Sequence, residues 1–221
     1  MNNAIISWPI NSVPDNLINK LLLNYKNSNR RDNYYKGKDL RASPPNFQEL
    51  PELYSFLESL NYKIDFNFPV RGNYLETANH YPIHCDTGKE ESYNVDYTVF
   101  LFPLFLPEHC HSYLFLLNQK WHGEASTFSV QDWPTGWNHM IKDYSDKPIL
   151  NKSTSVWDSR INSLGIKLTA QTLEHMSIDT IYKWKVGSFI SFPCTQLHFS
   201  TTDSNTNKIG LSVRLKLKNN T

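Results

Sequence analysis

Trp184-Lys185-Val186-Gly187-Ser188-Phe189-Ile190-Ser191-Phe192-Pro193 reads as a turn followed by a strand. Gly187 punctuates the polar lead, and the aromatic and β-branched residues after it suit a pleated, buried surface. Leu197-His198-Phe199-Ser200 follows, with His198 six residues past Phe192. Gly210-Leu211-Ser212-Val213-Arg214-Leu215-Lys216-Leu217 reads as a last strand. Side chains alternate faces along a strand, so Ser212 and Arg214 share one face while Leu211, Val213 and Leu215 share the other. If the Arg214 face is inside, its guanidinium needs an anionic partner. A dicarboxylate meets that need bidentately.

Working back from there, strand character is also read at Ile64–Phe68, Tyr97–Phe105, Ser112–Leu117 and Ala125–Val130. Two helices precede them. Val13–Tyr25 places Leu17, Ile18, Leu21 and Leu22 on one face behind Ser12 as N-cap. Pro51–Leu60 repeats the pattern with Leu53, Phe56, Leu57 and Leu60. Residues 26–45 between the helices are polar, with Arg30, Arg31, Lys36, Lys38 and Arg41, and read as a solvated loop. Residues 131–183 are mixed and polar, carry Trp133, Trp137 and Trp157, and show a short helical pattern at Thr169–Met176. They read as an insertion, either a small subsidiary core or a lid over a site. Helices, then strands, an insertion and more strands predict a mainly β, α+β domain: an antiparallel sandwich or barrel, not alternating βαβ units. The division expected is one domain over 1–221: helical support at 1–62, the β core at 63–130 and 184–217, and the insertion at 131–183.

The 221 residues carry Lys+Arg 22 against Asp+Glu 21, a formal net charge of +1. That balance argues against a duplex nucleic-acid binder, which usually has a strongly basic face. Only 8 glycines are present, and neither G-x-G-x-x-G nor a P-loop occurs. No G-x-S-x-G nucleophile turn is found either. Cys85, Cys110 and Cys194 make an odd set without C-x-x-C, which predicts reduced thiols and a cytoplasmic protein. The opening Met1–Ile10 has no basic lead and no long apolar run, so no signal peptide is expected. The longest apolar stretch, Val99–Leu106, is far short of the roughly 20 residues a membrane helix needs.

With 8 histidines there is room for a metal site. His84-Cys85-Asp86 is the leading candidate: on a strand His84 and Asp86 share a face, and imidazole and carboxylate together suit a divalent cation. His109-Cys110-His111 has the same spacing and is the rival pair, although a turn after Pro107 explains it as well. His80 is set apart from His84 by Pro82. His122 and His139 read as surface or substrate-side residues.

The ordered set of His84-x-Asp86, His198 and Arg214 resembles the iron(II)/2-oxoglutarate-dependent oxygenases, loosely those of the prolyl-hydroxylase kind. The resemblance covers residues 74 to 217. Trp121-His122-Gly123-Glu124-Ala125-Ser126 is similar to the family's mid-barrel Gly-Glu turn, and Trp184–Phe192 to its strand before the distal histidine. It implies a double-stranded β-helix, or jelly-roll barrel, with the N-terminal helices outside. It implies His84, Asp86 and His198 as ligands of Fe(II). 2-Oxoglutarate would chelate the metal, with its far carboxylate on Arg214, beside Ser212 and Tyr74; Arg71 competes for that role. Many relatives carry Arg-x-Ser where this chain has Ser212-x-Arg214. The implied reaction consumes O2 and 2-oxoglutarate, releases succinate and CO2, and hydroxylates an unactivated C–H of a peptide, amino acid or small metabolite. Asp86 leaves no ligand position for halide, which favours hydroxylation over halogenation. A jelly-roll binding module without catalysis, and a cupin-like metalloenzyme of other chemistry, are the alternatives.

Overall fold

The computed structural model describes residues 5–28, 31–35, 38–43, 45–78, 81–84, 86, 97–120, 127–128, 139–140, 178–202 and 207–218. At 31–35, 38–43, 81–84, 119–120, 127–128, 139–140 and 202 it describes the backbone only. In chain order the elements are β1 (Ile6–Trp8), α1 (Asp15–Asn27), β2 (Arg31–Tyr35), β3 (Lys38–Ser43), α2 (Pro51–Ser59), β4 (Arg71–Thr77) and β5 (Tyr81–His84). Then come β6 (Tyr97–Phe105), β7 (Ser112–Lys120), β8 (Thr127–Phe128), β9 (His139–Met140), β10 (Ile178–Lys183), β11 (Phe189–Pro193), β12 (Gln196–Thr202) and β13 (Lys208–Lys216). The chain is mostly β, with two main antiparallel sheets. One has seven strands in the order β1-β11-β6-β13-β4-β3-β2; the other has four, β10-β7-β12-β5. β8 and β9 form a separate small ribbon.

Among the described residues, two apolar clusters hold this together. Side chains on one face of the seven-stranded sheet, among them Phe100, Phe102, Phe189, Leu211, Val213 and Leu215, pack with the helices. α1 contributes Leu17, Ile18, Leu21 and Tyr25, and α2 contributes Leu53 and Leu57. Phe102 stacks on Phe189 at 5.1 Å between ring centres, and Phe56 meets both edge-on. The second cluster joins the sheets: Val99, Leu101, Ile190 and Phe192 from the larger one with Leu114, Leu116 and Tyr182 from the smaller. Alternation along β6 sends Val99 and Leu101 one way and Phe100 and Phe102 the other, so one strand serves both clusters. Pro103 lies inside β6, opposite Gly210 where the β6–β13 register shifts, the kind of irregularity at which a strand tolerates a residue lacking an N–H.

Several boundaries differ from the sequence reading. α1 starts at Asp15, and its N-cap is Pro14, not Ser12. The Pro14 carbonyl accepts the first helical N–H groups, from Leu17 and Ile18, while the Ser12 N–H is spent in a turn on Pro9. The polar segment 26–45 is no loop: β2 and β3 form a hairpin at the sheet edge. Polar residues are what an edge strand uses to discourage further pairing, so composition hid it. Ile64–Phe68 is not a strand. Ile64 makes one bridge to Leu217, then the Asp65 carboxylate accepts from the Asn67 N–H at 3.2 Å and the chain turns. β10, at the end of the range read as an insertion, is a strand of the four-stranded sheet paired with β7. The helical pattern at 169–176 and Trp133, Trp137 and Trp157 lie outside the described residues. Among the described residues, no helix is long and apolar enough to cross a membrane.

Candidate metal centre

β12 and β5 run antiparallel with the Cα of His198 opposite that of His84. The chain then passes Cys85 to Asp86, whose N–H donates to the Cys194 carbonyl at 3.0 Å and whose carbonyl accepts from the Arg214 guanidinium. Residue 86 is thus held from both sides of its peptide unit. Its carboxylate Oδ2 lies 3.7 Å from His198 Nε2. That is too long for a hydrogen bond. It falls in the span of two donors sharing one ion, since bonds of about 2.1 Å separate such donors by roughly 3 to 4 Å.

His198 is 4% exposed, and its ring meets Phe192 edge-on at 4.9 Å. Its Nδ1 lies 2.9 Å from the Gln196 carbonyl. A carbonyl can only accept, so Nδ1 carries the proton and Nε2 keeps its lone pair on the Asp86 side. A backbone carbonyl accepting from the other ring nitrogen is the usual way a metal-binding imidazole is oriented. Gln196 is itself fixed, its amide donating to the Leu117 carbonyl. The donor set therefore fits a divalent metal. The side chain of His84 lies outside the described residues, and among the described residues no three His, Cys, Asp or Glu side chains converge.

Asp86 and His198 open onto a small cavity of about 50 Å³ between the sheets. Its apolar wall is Leu75, Leu101, Leu114, Trp184 and Phe192. Its polar groups are Thr77, Ser200, Ser212 and Lys208. Lys208 is 2% exposed, and burial pushes its pKa down to about 7. The amine donates to Ser112 Oγ at 2.6 Å, which in turn donates to the Thr201 carbonyl at 2.6 Å. It also sits 4.3 Å from the centre of a Trp184 ring.

The residues read from the sequence as cosubstrate contacts are placed differently from one another. Ser212 lines the cavity. Arg214 lies on the same face of β13 but at its far end, donating to the Asp86 carbonyl, and is not among the cavity-lining residues. Tyr74 faces away: alternation gives the cavity Leu75 and Thr77, and Tyr74 is buried against α1, donating to Asn24 Oδ1 at 3.0 Å and meeting Tyr25 edge-on. Arg71 stands opposite Arg214 in the β4–β13 register. His109 occupies an exposed turn with φ +62° beside Glu108, and His111 is exposed. His80, Cys85 and His122 lie outside the described residues, as does the side chain of His139. Lys208 and Trp184 were not singled out from the sequence. The signal for Lys208 was present, since it begins the same alternation that carries Gly210, Ser212 and Arg214.

No family model matches the chain, and no curated protein matches it in sequence. Among solved structures it is similar to a prolyl-4-hydroxylase of Pseudomonas putida, at 7% identity and TM-score 0.49, covering 97% of this chain and 93% of that one. It is similar to the epimerase SnoN, in complex with Fe3+, alpha-ketoglutarate and nogalamycin RO, at 10% identity and TM-score 0.49, over 96% and 78% of the two chains. A third is a prolyl hydroxylase with a hypoxia inducible factor peptide fragment, from Trichoplax adhaerens, at 10% identity and TM-score 0.49, over 97% and 84%.

Proposed function

We propose that this protein is an iron(II)- and 2-oxoglutarate-dependent oxygenase, a hydroxylase of a peptide, amino acid or small metabolite, built on a double-stranded β-helix. The strand order supports the fold. β4–β7 and β10–β13 are eight strands in two sheets, ordered β11-β6-β13-β4 and β10-β7-β12-β5, so each sheet interleaves strands from the two halves of the chain. The observation that carries the function is the pairing of two unlike ends in one cavity: an oriented imidazole beside a carboxylate, and a buried lysine amine.

In this reading His84, Asp86 and His198 hold iron(II), which in the two-histidine, one-carboxylate setting leaves positions for small ligands and supplies the oxidising chemistry with O2. The chain's own residues do the rest. Gln196 keeps the His198 proton on Nδ1, and Arg214 and Cys194 fix the Asp86 backbone, so neither donor has to reorganise when metal binds. Lys208 takes the far carboxylate of 2-oxoglutarate, the role that the family resemblance implied for Arg214. Ser212 lies between the ends, and Leu75, Leu101, Leu114 and Phe192 keep water from competing for the acid.

The test is anaerobic: iron(II) plus 2-oxoglutarate should produce the weak charge-transfer absorbance of a chelated 2-oxo acid. His198→Ala and His84→Ala should abolish it, and succinate should appear on admitting air. A wild-type protein without that absorbance, or variants that keep it, would sink the proposal and leave the fold as a binding module.

A further inference from the structure

Exposure changes along the inner face of β4 and β13. Lys208 and Thr77 are register partners and are 2% and 4% exposed. Leu75 and Ser212 are half-buried, Asn73 is exposed, and Arg71, Arg214 and Lys216 are half-buried. The inner face is thus closed at Lys208 and meets solvent at the other end of the strands, where Arg214 donates to the Asp86 carbonyl. Among the described residues, three cations gather at that open end. Arg71 and Arg214 are direct cross-strand partners, so their Cβ atoms share a face about 4.5–5.5 Å apart. Lys216 stands two residues beyond Arg214 on the same face. The partners on β6 fix which face that is: Val99 opposite Arg214 and Tyr97 opposite Lys216 both belong to the cluster between the sheets. Like charges set opposite one another destabilise a strand pair, whereas an oxyanion held between two guanidiniums makes the same placement favourable.

We propose that this basic mouth selects the substrate: the compound to be hydroxylated is an acid, whose carboxylate or phosphate group pairs with Arg71 and Arg214, with Lys216 beside them. This rests on the oxygenase reading above and adds a substrate class to it. In that reading Lys208 holds the cosubstrate at the closed end, so the anion at the open end belongs to a different molecule. Asp86 is the acidic side chain near these cations, and its charge is taken by the metal. The chain as a whole carries a net charge of only +1, so the positive field is local to this end of the sheet. Forked guanidinium N–H groups match the planar oxygens of a carboxylate or the oxygens of a phosphate, and a neutral amide offers them no charge. Because Arg214 also touches the residue that holds the metal, the acidic group is placed near the reacting centre. The C–H that is oxidised should therefore lie a few bonds from that group.

The experiment uses the full chain loaded with cobalt(II) and 2-oxoglutarate, the cobalt being a paramagnetic stand-in that speeds the relaxation of fluorine nuclei close to it. The probes are trifluoroacetate and its neutral isostere trifluoroacetamide. Fluorine relaxation should rise and saturate with the acid and stay near its free value with the amide, and added salt should weaken the acid. Difluoromethylphosphonate in parallel tells a phosphate from a carboxylate, the tighter probe naming the group. Arg71→Gln should weaken the acid about three- to tenfold, as expected for one partly exposed contact to a charge, with 2-oxoglutarate affinity unchanged. The proposal is overturned if acid and amide behave alike, or if Arg71→Gln binds the acid like wild type, which would place the acid on the metal itself. It is overturned too if that variant loses 2-oxoglutarate, which would put Arg71 in the cosubstrate grip. If iron(II) and 2-oxoglutarate give no charge-transfer absorbance, the oxygenase reading fails and takes this inference with it. If the absorbance forms and neither anion binds, this inference alone falls. Should Arg71→Gln not fold, Lys216→Gln and the wild-type comparison of acid with amide decide.

Discussion

Lys208 shows how far a single side chain can be read from its surroundings. Its amine is desolvated, with Ser112 as its hydrogen-bonding partner and a Trp184 ring beneath it, and burial lowers its pKa from 10.5 to about 7. Between those values the unfolded chain holds more protons than the native one, so this residue makes stability rise as pH climbs from about 7 to 10.5. Lys208→Met should remove that slope and raise stability at pH 7 by about 1–3 kcal/mol, since an apolar side chain of similar length replaces a buried amine. It should also abolish 2-oxoglutarate binding, an opposition expected of a functional residue and not of a structural one. An anion beside the amine restores its proton, so wild-type affinity should fall as pH rises above about 7. Thermal melts across pH, with titrations of the acid, check all three. Arg214→Met is the contrast: freeing the Asp86 carbonyl should cost about ten- to hundredfold in metal affinity and leave the charge at the Lys208 end intact. Alternation along β13 is legible in sequence and puts Ser212 and Arg214 on the inner face. Which cation faces the cavity depends on Trp184 and Ser112, brought from β10's end and β7, and no local pattern carries that.

Elements were legible where burial imposes a period. α2 follows from Leu53, Phe56, Leu57 and Leu60, with Pro51 suited to a first helical turn, and the structure buries Leu53 and Leu57 completely. β6 follows from its run of aromatic and β-branched residues. The β2–β3 hairpin was illegible for the opposite reason: an edge strand made of polar residues has no apolar alternation to show. Ile64–Phe68 misled because the alternation was real, while Asp65 captured the Asn67 N–H and closed a turn. The helices cover the seven-stranded sheet on the side away from the cavity. Leu53→Ala should therefore cost about 2–5 kcal/mol of stability through the hole it leaves. Metal and 2-oxo-acid affinities of the folded variant should stay at wild-type values. Chemical denaturation beside the acid titration separates the two, and a parallel loss of affinity would show that the helix face and the cavity are coupled.

Across the whole molecule the site is a meeting of distant segments. Asp86 follows β5, His198 lies on β12 of the same sheet, and Lys208 and Arg214 come from β13 of the other. A ligand gripped at both ends of the cavity thus bridges the two sheets, adding to the cluster around Leu101, Leu114 and Phe192 and to the Lys208–Ser112 and Arg214–Asp86 hydrogen bonds. The unfolded chain cannot present these residues together, so binding adds to the folding free energy nearly in full. At a free concentration of one hundred times Kd that is about 2.7 kcal/mol. For a chain of this size it corresponds to a rise in Tm of roughly 5–10 °C. Metal alone should give part of the rise, since it engages Asp86 and His198 but leaves Lys208 buried without its anion. 2-Oxoglutarate without metal should give little, having one end to hold. If, as proposed, the metal chelates the 2-oxo acid whose far end pairs with Lys208, the two together should exceed the sum. Differential scanning calorimetry with iron(II) under anaerobic conditions, each ligand alone and both together, measures the three terms, and a chelator should reverse them. A strictly additive result would mean that metal and acid occupy separate sites, and would divide the cavity that the proposed reaction requires to be one.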